Sequence, residues 1–496
     1  MSNYPIIQME TGRVKKILIL AYTGFIIRNF ILGNFLKEFL RLNSYVEVLI
    51  AVPNPNDKKL KGFINQFSGK VELVKFLANS HKRKNSFTRN LDLHNFYYYT
   101  KMYQKQSSSV SLQKLIWEGH SKGNDRRFKD LSQKLSWGIY KLGLFNLLEK
   151  VYLNNWTQSE ISKKWLHFLS KEKPDFVLST MLTHAPRYSC SSDLPVVLMA
   201  NKLKIPVGTY VQSWDNLSSK VSVLPDTLSK VWTWSDRMNE EVRRFYPKLS
   251  NEKISVIGGI QFDHHLDKEL IVKRETFCKS QGLDTNKPYV LMATGTVKWM
   301  PNEPMKMVQL ISRMHHLNPD IQFLIRLHPK DHGQRWEKYR ERLDALKARI
   351  QFTHPEQEYM DRGGFQPPKE FYRDQVNAIY HSAVVINSSS TMTVDAAILD
   401  RPVICIAYDV KQHKGFPEGR ALAFTKSEHY KILTRTGGVS LALTEDHCLS
   451  LIEDYIAEPD LNLEGRKRIV VEVCNKADGQ AGTRLAREVD MQLKSP

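Results

Sequence analysis

The chain has little of anything that fastens a fold through sulfur or metal. Five cysteines stand among 496 residues, at positions 190, 278, 405, 448 and 474, and no two have the close spacing of a zinc or dithiol motif. That excludes a disulfide scaffold and makes a reducing, cytoplasmic compartment the expected setting. Low-complexity tracts and short-period repeats are missing, and the apolar content of 42% is too high for a disordered chain or a collagen-like fibre. Long apolar runs are scarce as well. Residues 17–36, ILILAYTGFIIRNFILGNFL, come nearest to a membrane span, but Arg28, Asn29 and Asn34 lie within them. Such groups are expensive in lipid, and no small-residue cleavage site follows the run. It is expected to form a buried strand over 17–21, a glycine-containing turn and an amphipathic helix from about 27 to 42.

Acidic charge is in deficit. Asp and Glu number 52 against 72 Lys and Arg, a net charge of +20. Residues 81–173 hold 18 Lys or Arg against 7 Asp or Glu, so more than half of the excess sits in under a fifth of the chain. A basic region of this kind attracts nucleic acid, an anionic membrane surface or a phosphorylated substrate. No nucleic-acid fold signature accompanies it, so no nucleic-acid partner is expected. Within it, residues 131–156 combine Leu, Ile, Trp, Phe and Tyr with three lysines. That composition suits either a helix packed on the core or one lying in a membrane interface.

A length of 496 residues allows about two to four domains. Short apolar runs alternate with helical stretches over the first 80 residues and again over 174–262, a pattern that predicts a parallel sheet covered on both faces. A second alternating block runs from KPYVLMATGT (287–296) to RPVICIAYD (401–409), and the remainder reads as helical and polar. The expected fold class is α/β, with two Rossmann-like doubly wound parallel-sheet domains facing across a cleft. The first spans 1–265, with 81–173 as a basic, mostly helical insertion, and the second spans 266–496.

Open parallel sheets bind ligands at the carboxyl ends of their strands, and four places in the second half fall there. Thr294, Gly295 and Thr296 follow the strand VLMA; glycine permits close backbone approach and the hydroxyls can donate to an oxyanion, although a plain turn explains them equally well. In the next strand, alternation places Arg326 and His328 on one side, followed by Lys330. Two such donors call for an anion, and phosphate is the obvious one. Ser388, Ser389, Ser390 and Thr391 lead from AVVIN into a helix carrying Asp395. Hydroxyls and N–H groups at a helix start hold anions, and serine is also a good helix cap. Asp395 can accept from sugar hydroxyls or complement the helix dipole. Asp478-Gly479 opens the last helix, as a functional turn or an ordinary cap.

IRLHPKD, then a helix, then VINSSSTMTVDAAILDRPVICIAYD, resembles the donor half of GT-B glycosyltransferases, and in particular the CDP-glycerol glycerophosphotransferases. Their His-Pro strand end, Ser-Ser loop, helix Asp and terminal Asp-Gly-x-Ala-x-x-Arg are similar to His328-Pro329, Ser388 to Ser390, Asp395 and residues 478–484. GGIQFD (258–263) is similar to their GxPQFD stretch, with Ile260 at the usual proline. Bacterial sialyltransferases and Kdo transferases also pair a His-Pro motif with a Ser motif and use cytidine nucleotides. The resemblance spans roughly 254–490. It implies that His328 and Arg326 bind the donor phosphate and stabilise the leaving nucleotide, that the three serines hold phosphate oxygens, and that Asp395 holds the ribose. No DxD motif of metal-using glycosyltransferases occupies a strand end, so no catalytic metal and no cofactor are expected beyond the activated sugar. Asn387 replaces the Asp that usually precedes the Ser-Ser loop, and the paired acidic motif of sialyltransferases is missing.

An acceptor hydroxyl needs a base within hydrogen-bond reach, facing the donor across the cleft. Asp215, flanked by Trp214 and Asn216, and His184 stand at first-half strand ends; an Asx turn and a structural histidine are their plainer roles. The first βα turn, with Gly24, Arg28 and Asn29, can also meet an acceptor. The expected activity is metal-independent transfer of a sugar from a nucleotide donor, leaning to cytidine, onto a glycan or lipid-linked glycan in surface polysaccharide assembly. The expected location is the cytoplasm, with peripheral contact on an anionic membrane through 81–173. The alternatives are a glycerol- or polyol-phosphate transferase, a nucleotide-sugar 2-epimerase and a non-catalytic nucleotide- or glycan-binding subunit.

Overall fold

The computed structural model describes residues 14–43, 45–67, 69–78, 91–106, 124–184, 193–297, 300–353, 370–409 and 420–494. Nine strands come first: β1 (Lys15–Leu20), β2 (Val46–Val52), β3 (Val71–Lys75), β4 (Phe176–Ser179), β5 (Thr183–His184), β6 (Val207–Tyr210), β7 (Val221–Ser222), β8 (Lys230–Thr233) and β9 (Ile254–Val256). Seven of them form a parallel sheet in the order β3-β2-β1-β4-β6-β8-β9, while β5 and β7 pair separately as an antiparallel ribbon. Six more follow: β10 (Tyr289–Ala293), β11 (Gln322–Arg326), β12 (Arg349–Gln351), β13 (Val384–Asn387), β14 (Val403–Ile406) and β15 (Ser440–Ala442). Their order is β12-β11-β10-β13-β14-β15, parallel throughout. Both large sheets reverse direction of winding beside their first strand, and such switch points open crevices at the carboxyl ends.

The apolar runs are continuous because both faces of these strands are covered. In β10, Tyr289 and Leu291 join an apolar cluster that is continuous with the first sheet, and Val290 and Met292 join a second cluster on the opposite face. Val385 and Val384 divide in the same way in β13, as do Cys405 and Ile404 in β14. Cys278, Cys405, Cys448 and Cys474 are buried free thiols, and Cys190 lies outside the described residues.

The helix expected over 27–42 is broken. Thr23 caps a single turn at Gly24–Ile26, a π-helical turn follows at Ile27–Ile31, and α1 (Asn34–Leu42) begins after Gly33. A Cβ at Gly33 would stand 2.5 Å from the Asn29 carbonyl, so the chain turns there only with glycine. The wider π turn carries Arg28 and Asn29. In the basic segment, the described parts are helical: α2 (Leu93–Gln104), α3 (Asn124–Lys141), α4 (Phe145–Thr157) and α5 (Glu160–Glu172). Residues 81–90 and 107–123 of that segment lie outside the description.

Four helices frame the second sheet's carboxyl edge or cross near it: α6 (Glu303–Leu317), α7 (Glu370–Tyr380), α8 (Met392–Ile398) and α9 (Glu428–Arg435). The tail expected to be helical also supplies β15, whose three residues pair only with β14. A strand that short leaves no alternation to read. The last helix, α10 (Ala481–Lys494), returns to pack on α1 of the first half. Asp263 fixes its start, accepting from the N–H groups of Ala481 (3.0 Å) and Gly482 (2.7 Å). Asp478 pairs with Arg484, which also donates to the Ile257 carbonyl. GGIQFD and the Asp478-Gly479 turn thus meet at the start of α10, where Asp263 supplies the cap and the exposed Asp478 accepts from the Gln480 N–H.

Candidate functional site

The switch point of the second sheet lies between β10 and β13, and the loops after β10, β11 and β13 are tied together there. Thr294 Oγ1 accepts the His328 N–H at 2.8 Å, and Thr294 N–H itself bonds the Arg326 carbonyl. The Gly295 N–H donates to Glu303 at 2.8 Å, and Ser388 Oγ donates to the other oxygen of the same carboxyl at 3.2 Å. Arg335 closes the group, reaching Glu303 at 3.3 Å and Asp331 at 2.6 Å. Glu303 therefore clamps the Thr-Gly-Thr loop to the serine loop. It was not singled out from the sequence, and its only signal there is an acid beside a proline at a helix start.

Burial raises the Glu303 carboxyl to about 7, against the lowering pull of Arg335, Gly295 and Ser388. A folded-state value above the ordinary 4.5 means that the native state holds this proton more tightly than the unfolded chain does. Its contribution to stability is complete below about pH 4.5 and is lost as pH rises through about 7. Glu303→Gln is expected to lack this component. Between pH 5 and 7.5 the wild-type melting temperature should fall relative to the variant's by about several degrees. Parallel melting curves would show that Glu303 titrates normally.

The serine loop is held by its neighbour. Asn387 Oδ1 accepts from Ser390 N–H (3.0 Å) and from Thr393 Oγ1, while its Nδ2 donates to Thr393. Both ends of the amide are used, which a carboxylate could not do, and this accounts for Asn at that position. Ser389 adopts φ +52° and its N–H points to Cys405 Sγ. Thr391 precedes α8 without a side-chain cap bond. His328 accepts the Lys330 N–H on Nδ1 at 3.0 Å. Burial, with Lys330 and Arg335, lowers it to about 4, so at neutral pH it is a neutral donor through Nε2 rather than a cation. Lys330 is exposed.

Arg326 ends β11 with its side chain buried and bonded to Gln351. Burial lowers it to about 10, so it remains charged. Its guanidinium lies 5.1 Å from the Phe371 ring centre. Arg28, carried by the π turn of the first half, lies 5.7 Å from the same ring, and Tyr372 donates its hydroxyl to the Arg28 carbonyl at 3.0 Å. The two arginines, one from each half, therefore share one aromatic ring on α7. Asp395 lies beneath, with His265 Nε2 2.9 Å away and Gln375 at 3.4 Å. His264 packs on both Tyr372 and His265, its ring centroid 4.3 Å from each.

Among the described residues, several buried polar atoms here have no protein partner: Arg326 Nη2, Thr296 Oγ1, His264 Nε2, His265 Nδ1 and Gln375 Oε1. Each such atom is worth about 1–3 kcal/mol of unmet hydrogen bonding. His264, His265, Tyr372 and Gln375 had not been singled out from the sequence. Arg28, expected to meet an acceptor, stands instead with the groups expected to hold the donor.

Of the first-half candidates, Asp215, Trp214 and Asn216 form a second cluster. Asp215 pairs with Lys220 at 2.7 Å and accepts from Asn216 at 3.2 Å. Burial opposes its charge, yet Lys220 and His429 hold it at about 2. Trp214 is buried edge-on to His429, whose Nδ1 lies 2.8 Å from Ser219 Oγ. Asn216 bonds the Ser213 N–H, Asn29 accepts from Arg28 Nε at 2.9 Å, and Gly24 is buried in its turn. His184 is placed by its backbone in β5, opposite Val221, and its side chain is outside the described part. The clusters touch through α9: next to His429, Tyr430 bonds Thr393, which bonds Asn387.

No known protein family's sequence profile matches the chain, and no curated relative matches it, so the likeness to CDP-glycerol glycerophosphotransferases gains nothing from those comparisons. Solved structures do match over nearly the whole chain. The Staphylococcus aureus MnaA–UDP structure aligns at TM-score 0.53 and 12% identity, covering 97% of each chain. A Rickettsia africae glycosyltransferase aligns at 0.51 and 13%, covering 97% of this chain and 99% of that one. Neisseria meningitidis UDP-GlcNAc 2-epimerase bound to UDP-GlcNAc aligns at 0.50 and 13%, covering 96% and 100%. At these identities the likeness concerns the fold, and the fold is that of the GT-B type: two parallel α/β sheets facing across a cleft.

Proposed function

We propose that the chain is a nucleotide-sugar enzyme that binds a nucleoside diphosphate sugar at the carboxyl edge of the second sheet and breaks the bond between the anomeric carbon and the diphosphate. The observation that carries this reading is the pair Arg28 and Arg326 on the Phe371 ring, with Arg326 Nη2 and neighbouring polar atoms unpartnered among the described residues. A buried guanidinium with an open N–H is suited to an anion. A departing diphosphate gains negative charge, so the same contact strengthens in the transition state. The serine loop and the neutral His328 add donors, and Asp395 is suited to the ribose.

For the fate of the sugar, the structural neighbours favour 2-epimerisation over the transfer that the sequence motifs put first. Two of the three structures described above are complexes with UDP or UDP-GlcNAc, which also moves the nucleobase from cytidine to uridine. Transfer stays as a second reading on one observation. Epimerisation at C2 needs an acid and a base on opposite faces of the sugar, whereas Asp215, Asp395 and Glu303 are all engaged by protein partners. Transfer needs a single base. The test is proton NMR of UDP-GlcNAc incubated with the protein in deuterated water. Deuterium at C2 with appearance of the manno isomer means epimerisation. Release of UDP that depends on an added glycan, without exchange at C2, means transfer. An unchanged UDP-GlcNAc spectrum with and without glycan contradicts both for this donor. Turnover is expected to persist in excess EDTA, because Arg28 and Arg326 meet the leaving charge; loss restored by Mg²⁺ would overturn that.

A further inference from the structure

The hairpin α3–α4 carries apolar side chains on both sides: α4 buries Phe145, Tyr152 and Trp156, and a second apolar set stays exposed. Its inner side buries Ser132 and Ser136, and Thr100 of α2 donates to the Ser136 carbonyl. Leu131, Leu135, Leu142, Leu144 and Leu147 face solvent, whereas Leu148 and Leu153 are half-buried. Seven of the eighteen large apolar side chains that are exposed among the described residues fall within residues 131–151. Leu131, Leu135 and Trp137 lie along α3, and Leu147 and Val151 along α4. The turn itself, Leu142-Gly143-Leu144, has Leu142 73% exposed, the largest value of the set. Burying serine while exposing leucine is unfavourable for a helix whose outer face stays in water.

Charge selects the occupant. Lys134, Lys141 and Lys150 are exposed on this hairpin, with Lys141 Nζ 5.5 Å from the Trp137 ring. From 127 to 158 no Asp or Glu is exposed: Asp130 is half-buried, and Glu149 turns inward to Tyr97 and Lys248. A second copy of the chain set on this face would bring lysines against lysines with no carboxylate to meet them. A bilayer surface with anionic headgroups takes both features, leucines into the acyl boundary and lysines at the phosphate level. We infer that α3–α4 is a membrane-docking hairpin that inserts Leu142, Leu144 and Leu147 into an anionic bilayer interface. It rests on α2, and Lys105, just past the end of α2, donates to the carbonyls of Leu217 and Lys220 in the loop that carries Asp215. Docking therefore sets the cleft beside the membrane, a consequence independent of which reaction the cleft performs. Among the described residues no helix is long and apolar enough to cross a membrane, so the contact is peripheral.

The test is co-sedimentation of the full chain with phosphatidylcholine vesicles, with and without about 30% phosphatidylglycerol. Wild type is expected to pellet with the anionic vesicles and to be released by high salt. Leu142→Glu/Leu147→Glu should lower partitioning at least about tenfold, and Lys134→Glu/Lys141→Glu by about tenfold with loss of the preference for anionic lipid. All four positions are exposed, so melting temperatures should not change. Wild type that stays in the supernatant with anionic vesicles, or a leucine variant that pellets as wild type does, would overturn the inference. So would a vesicle-free dimer in sedimentation velocity that Leu142→Glu/Leu147→Glu dissolves, which would assign the face to a second copy.

Discussion

Arg326→Met is expected to weaken nucleotide binding by about one to two orders of magnitude while leaving the fold intact. A charge-assisted hydrogen bond contributes about 1.5–3 kcal/mol, and among the described residues Arg326 Nη2 has no protein partner to keep it engaged. Methionine fills a similar volume beside Phe371. Replacing a buried charge by an apolar side chain is often neutral or stabilising, so the melting temperature should hold or rise. Arg28→Met should behave in the same way, although its hydrogen bond to Asn29 makes some loss of order in the π turn a second component. Because both guanidiniums lie on one ring, the double variant should lose less than the sum of the two. Titration calorimetry with UDP checks the affinity, and thermal melting checks the fold. An undiminished affinity would place the anion elsewhere; a collapsed melting temperature would make the Arg326–Gln351 bond structural.

Asp263→Ala is expected to be the most destabilising of the substitutions considered, at about 3 kcal/mol. It leaves the buried N–H groups of Ala481 and Gly482 without an acceptor at the start of α10, each worth about 1–3 kcal/mol. Asp263 directly precedes His264 and His265, which meet Tyr372 and Asp395, so a smaller loss of nucleotide affinity is expected beside the loss of stability. Burial raises the Asp263 carboxyl to about 6, against the N–H groups of Gly482 and Ala481 that lower it. With the folded value above the ordinary 3.8, its contribution is complete below about pH 4 and declines as pH rises through about 6. The gap between wild type and Asp263→Ala should therefore narrow from pH 4 to pH 7. Denaturant melts at the two pH values measure it, and a gap that widens would contradict the assigned cap.

Much of the sheet architecture was legible because doubly covered strands carry continuous apolar runs, and a run such as YVLMA has no second interpretation once helices flank it. The loops of the candidate site were legible for a related reason: Thr294, His328 and Ser388 follow those runs directly, so the strand ends locate them. What was not legible depends on pairs distant in sequence. Nothing near Arg28 announces Phe371, and nothing near Asp263 announces Gly482 more than two hundred residues later. The π turn escaped because its residues, IRNFI, fit an ordinary helix period and only the backbone distinguishes the two. Glu303 escaped because an acid in a first helical turn usually serves the helix dipole, whereas here it joins two loops. The hairpin 131–156 was ambiguous from composition alone, since leucine and lysine counts are the same whichever face is buried.

The central claim is that a nucleoside diphosphate binds between Arg28 and Arg326. Thermal melting of the wild-type chain against UDP, UDP-GlcNAc, CDP, CDP-glycerol and CMP tests it most directly, because a ligand bound only by the folded state stabilises it by about 2.7 kcal/mol at a hundredfold excess over its dissociation constant. The expected result is a saturable rise with diphosphates, largest for the uridine compounds and absent in Arg326→Met. No rise with any nucleotide, or an equal rise in Arg326→Met, would contradict it.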